Sequence, residues 1–159
     1  MRDSNLPYLT SITVCVLSLL TIVDTANACS CIPVTVRELK QKADIIFQGT
    51  IIDIHAAKRD VITDLIQPPK RIAVFRVARI WKGDLGQTFE MPAIEKSGGR
   101  CAGFPEGSLV AGNELLVYAY RGNGNDEYST NICSHTSLLM QTKDLQELGR
   151  GRVPRKKVN

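Results

Sequence analysis

One long apolar run, Ile12 to Val23, stands near the start of the chain, and beyond it the apolar positions fall into short blocks. Thr35-Val36-Arg37-Glu38 has the spacing of a capping box, in which a hydroxyl and a carboxylate satisfy each other's backbone donors. It predicts a short helix to about Lys42. Residues 43–54, ADIIFQGTIIDI, read as a β-branched strand in which Gly49 marks a bulge or sharp bend. Residues 70–83, KRIAVFRVARIWKG, alternate, with Arg76 and Arg79 between apolar positions and a phase slip at Val74-Phe75 that predicts a second bulge. Between these strands, residues 55–69 lack a period and end in Pro68-Pro69, which predicts an exposed connection or an extended hairpin. Residues 88–95 are a strand with Pro92 marking an edge or bulge; residues 114–120, ELLVYAY, are a buried strand, and RGNGND after it is a turn. A last short helix spans 142–149, with Thr142 capping it, Asp144 in its first turn and Gly149 stopping it. Five or so short strands with one helix at each end predict a mostly β fold, a small closed or partly open barrel rather than a parallel α/β sheet.

The apolar run is too short to span a bilayer comfortably, but it has the length of an export signal. Arg2 precedes it, and Ala26-Asn27-Ala28 comes after it with the small-x-small pattern of a cleavage site. Residues 1–28 are therefore expected to be a signal peptide, the product to be secreted or periplasmic, and Cys29 to be the first mature residue. Asp3 and Asp24 weaken the charge pattern, and an uncleaved anchor is one alternative. A lipoprotein signal, which also ends before a cysteine, is another; it would acylate Cys29, although Ala26 and Asn27 fit its pattern poorly.

Cleavage would leave 131 residues, enough for one domain with a real core and too few for two ordinary ones. Removing Arg2, Asp3 and Asp24 from the 20 basic and 16 acidic residues leaves 19 and 14, a formal +5. Five of those positive charges, Arg150, Arg152, Arg155, Lys156 and Lys157, lie in the last ten residues, so the basicity belongs to a tail. That tail, residues 150–159, lacks apolar periodicity and is expected to be disordered beyond a domain of residues 29–149. It is a candidate for binding polyanions through charge.

Four cysteines, Cys29, Cys31, Cys101 and Cys133, remain after cleavage, an even number that in an exported chain predicts two disulfides. A bond between Cys29 and Cys31 would close a strained ring, which leaves two pairings, each joining both to distant partners. The competing reading is a zinc site from Cys-x-Cys with Cys133 and His135, disfavoured by the one-residue spacer and by an oxidising compartment. For catalysis the sequence offers little. His55 and His135 are the two histidines, no serine or cysteine has a base in local context, and no phosphate-binding glycine loop occurs. An enzyme is not expected.

Cys29-Ser30-Cys31-x-Pro33, Ala43-Asp44-x-x-Phe47-x-Gly49, Trp81-Lys82-Gly83, Cys101-x-Gly103-Phe104, Tyr118-Ala119 and Thr130-x-x-Cys133-Ser134-x-Thr136 occur in this order. Together they resemble the netrin-like domain of the tissue inhibitors of metalloproteinases, over nearly all of the mature chain. The resemblance implies a five-stranded OB-fold barrel with short flanking helices, stapled by Cys29–Cys101 and Cys31–Cys133. It implies that the amino nitrogen and carbonyl oxygen of Cys29 chelate the zinc of an extracellular metalloprotease, displacing the catalytic water. Ser30, Cys31, Ile32 and Pro33 would then contact the protease's pocket, and the inhibitor would carry no cofactor, the zinc being the target's. In an extended segment side chains alternate, so Ser30 is expected to face away from Cys29 and Cys31, with Pro33 stiffening the backbone just beyond them.

The chain departs from the family in three ways. The vertebrate inhibitors carry a third disulfide in this domain and a second, cysteine-rich domain, where this chain has four mature cysteines and a basic tail. His135 stands where the family usually has arginine. Residues 55–69 and 94–100 do not align with the family's inhibitory loops. The alternative function is an exported netrin-like module that binds a protein or polyanion without inhibiting a protease.

Overall fold

The computed structural model describes residues 29–57, 70–95, 101–122 and 127–155. The expected signal peptide, most of the 55–69 connection, the centre of the 121–126 turn, and Lys156 and Lys157 lie outside these residues.

The first helix, α1 (Val36–Lys42), starts where the capping box predicts. Glu38 donates its amide to the Thr35 hydroxyl at 3.3 Å, and its carboxylate accepts the Thr35 amide at 2.8 Å. Hydrogen bonds from Thr35, backbone first, hold the Glu38 carboxyl below its ordinary range. Val36 and Leu39 bury one face of the helix.

Among the described residues six strands come next: β1 (Ile45–Ala56), β2 (Arg71–Lys82), β3 (Thr88–Pro92), β4 (Glu114–Arg121), β5 (Tyr128–Ser129) and β6 (Ser137–Leu138). They form one antiparallel sheet in the order β3–β2–β1–β4–β5, with β6 also pairing β4. The sheet curls into a half-barrel of the OB type, whose outer strands β3 and β5 meet through the rings of Phe89 and Tyr128, 5.5 Å apart. Phe47, Phe75, Val117 and Phe104 fill its interior. The Phe47 and Phe75 rings meet edge to face at 5.4 Å, and each such fully buried side chain contributes roughly 1.5–3 kcal/mol. A second apolar cluster covers the outside of the sheet, where α1 and the C-terminal helix pack on Ile46, Leu116 and Tyr118.

Twelve-residue strands curl this tightly because they are bulged. A register slip falls between Gln48 and Gly49, as the glycine predicts, and the extra residue is Ala78 on β2. The slip expected at Val74-Phe75 belongs instead to the partner strand, where Ile52 is the extra residue. The alternation misled because Ile72 and Val74 are half-buried residues of the outer face, whereas the core face is Ala73, Phe75, Val77 and Ile80.

Two expectations at the C-terminal end are corrected. The last helix, α2 (Leu145–Leu148), is a single turn after a 3-10 turn at Leu139–Gln141. Thr142 caps the Asp144 amide at 3.2 Å, and Asp144 occupies the N-cap position with its carboxylate turned to partners elsewhere. Residues 150–155, expected to be disordered, lie along β2: Ile80 and Arg152 exchange two backbone hydrogen bonds, both 2.8 Å. The Trp81 indole donates to the Gly149 carbonyl at 2.9 Å, Arg79 donates to the Arg150 carbonyl at 2.9 Å, and Pro154 is buried. Backbone pairing onto a vacant strand edge needs no apolar period, so composition alone misjudged this segment.

Candidate functional site

Two loops form a platform beneath the N-terminal segment. The first, after β3, is set by Gly103: at φ +115° it brings the chain so close to Ile94 that a Cβ would lie 2.4 Å from the Ile94 carbonyl oxygen. Phe104 donates its amide to that same carbonyl at 2.7 Å, tying the loop to the end of β3. The second loop, residues 130–136, pairs with the first. Gly103 donates to the Thr130 carbonyl at 2.7 Å, Ile132 donates to the Cys101 carbonyl at 3.0 Å, and Ala102 bridges Asn131.

Buried hydroxyls hold the second loop to β4. Thr136 accepts the Tyr118 amide at 3.0 Å and donates to the Tyr118 carbonyl at 3.2 Å. Ser134 donates to the Asn131 carbonyl at 2.6 Å, and Thr130 lies 2.7 and 2.8 Å from the hydroxyls of Thr136 and Ser134. Each of the three protons and the Tyr118 amide finds an acceptor, which is what permits four polar groups to be buried together. Asp144 adds a brace. It accepts the Tyr118 hydroxyl at 2.9 Å and lies 3.0 Å from Nδ1 of His135, a residue held at φ +59°. Burial first, and the bond to Asp144 second, push the Tyr118 hydroxyl well above the ordinary tyrosine range.

Cys29 is bonded to Cys101 and Cys31 to Cys133, with Cα separations of 5.6 and 5.3 Å. Of the two pairings left open by spacing, this is the one that the resemblance implies. Both bonds tie residues 29 and 31 to the platform, and Ser30, Cys31, Ile32 and Pro33 are exposed, Ile32 to 84%. Thus Cys29, Ser30, Cys31, Ile32 and Pro33 form one surface segment fixed at two points two residues apart. With all four sulfurs in disulfides, the zinc alternative built on Cys133 and His135 has no thiolates. Among the described residues no other cluster of His, Cys, Asp or Glu suits a metal ion.

Arg150, Arg152 and Arg155 are exposed, and Arg152 spends its guanidinium on the Gly83 carbonyl and on Asp84 at 3.0 Å. His55 sits on β1 with Asp53, 3.1 Å away, and joins neither group. Sequence reasoning missed the bonding of Tyr118 and His135 to Asp144 and the hydroxyl roles of Thr130, Ser134 and Thr136. The threonines and serine stood in the quoted motif, but Asp144 left no local signal of its partners.

No family model matches the chain, and no curated protein matches its sequence. The two disulfides belong to an oxidising compartment, and among the described residues no helix is long and apolar enough to cross a membrane.

Proposed function

We propose that the chain is an exported inhibitor of a zinc metalloprotease, of the tissue-inhibitor kind, and not itself an enzyme. Cleavage after Ala28 creates an amino terminus at Cys29, and that nitrogen with the Cys29 carbonyl oxygen would replace the water on the protease's zinc. Ser30 enters the specificity pocket, with Cys31, Ile32 and Pro33 along its rim. An α-amine has an ordinary pKa of about 8, so shedding its proton near neutrality costs only about 1 kcal/mol. The zinc is the target's, and no cofactor is required of the inhibitor.

The observation that supports this reading is the double fastening of residues 29 and 31 beneath exposed Ser30, Ile32 and Pro33. A segment anchored at alternate residues has little freedom left to lose, so binding costs less ordering entropy. The platform beneath it supplies the stiffness, because both disulfides end on loops that are hydrogen-bonded to each other.

The test is to place one alanine before Cys29 in the mature protein and assay both forms against a panel of secreted metalloproteases. The native form is expected to inhibit, and the extended form to fold identically but lose inhibition, because the amine has moved off the zinc. Equal inhibition by the two forms overturns the mechanism. Intact mass gives a second check: a mature chain beginning at unmodified Cys29 with two disulfides is expected, and a blocked or lipidated terminus excludes the proposal.

A further inference from the structure

We draw no further inference here: the strongest candidate, the mainly apolar hollow of about 260 Å³ between the end of β3 and β5 that Pro92, Ile94, Ala102 and Tyr128 line, spends its two charged side chains, Lys70 and Glu127, on each other, and nothing in the structure shows what covers it.

Discussion

The two ends of the described chain are both laid across the barrel as extended straps, and they are fastened by different physics. Residues 29–33 are held by two covalent bonds, and the side chains between them face solvent. Residues 149–155 are held by backbone pairs with Ile80, by the Trp81 and Arg79 side chains, and by burial of Pro154. The first arrangement leaves its exposed side chains available to a partner, because none of them is needed for attachment. The second uses several of its own groups to stay in place, so it has less to offer and can detach reversibly.

The strongest way to break this contrast is to open one of the covalent anchors. Cys31→Ser combined with Cys133→Ser removes a cross-link between residues 102 apart in sequence, which the loop-entropy model, applied to that loop alone, values at about 4.7 kcal/mol. Denaturant titration should show that loss, and inhibition should fall further than stability alone explains, because Ser30 and Pro33 lose their fixed geometry. A loss under about 1 kcal/mol would mean that the platform, not the disulfide, holds the strap.

Glycine substitutions sharpen the comparison at smaller cost. At Gly103, under the covalent strap, a Cβ meets a backbone carbonyl at 2.4 Å, and φ is +115°. At Gly151, in the hydrogen-bonded strap, it meets the Trp81 ring at 3.0 Å, with φ +63°. Gly103→Ala is expected to cost about 3 kcal/mol because the Ile94 carbonyl cannot yield without breaking its bond to Phe104. Gly151→Ala should cost only about 1 kcal/mol, since that strap can lift from the indole. Thermal unfolding of the two variants reads the difference directly, and equal shifts would contradict it.

The contrast also explains what could be read from the sequence. Cysteine spacing announced the covalent strap, and the capping box at Thr35 and the bulge at Gly49 were visible because each rests on a local residue preference. The hydrogen-bonded strap was invisible: Ile80 and Arg152 meet through backbone atoms, which carry no side-chain signature. Gly151 lies against the Trp81 ring and Pro154 is buried, so two residues that disfavour a helix help to seat the strap. The brace at Asp144 was missed for a related reason, since its partners Tyr118 and His135 are distant or in a loop whose course no pattern predicted.

That brace joins the two straps, because Asp144 precedes the helical turn leading to the C-terminal segment while His135 lies in the loop that carries Cys133. Tyr118 binds its proton more tightly when folded than when unfolded, so its contribution is fully present below the unfolded value of about 10 and is lost as pH rises above it. Stability should therefore fall above about pH 10 in the native chain. Tyr118→Phe should flatten that alkaline limb while costing about 1 kcal/mol near neutrality, the net worth of the bond to Asp144. An unchanged alkaline limb would show that another group governs it.

Trp81→Phe isolates the weaker fastening with the least disturbance, since it keeps an aromatic ring in the outer apolar cluster and deletes the donor to Gly149. A net loss of somewhat under about 1 kcal/mol is expected. Global unfolding should barely register it, whereas local opening of the strap should speed amide exchange at Arg152 and Ile80 by up to about fivefold. Amides of the covalently anchored platform, Gly103 and Ile132, should be unaffected. If all four amides accelerate together, the straps open as one unit and the distinction between a fixed presenting edge and a releasable one disappears.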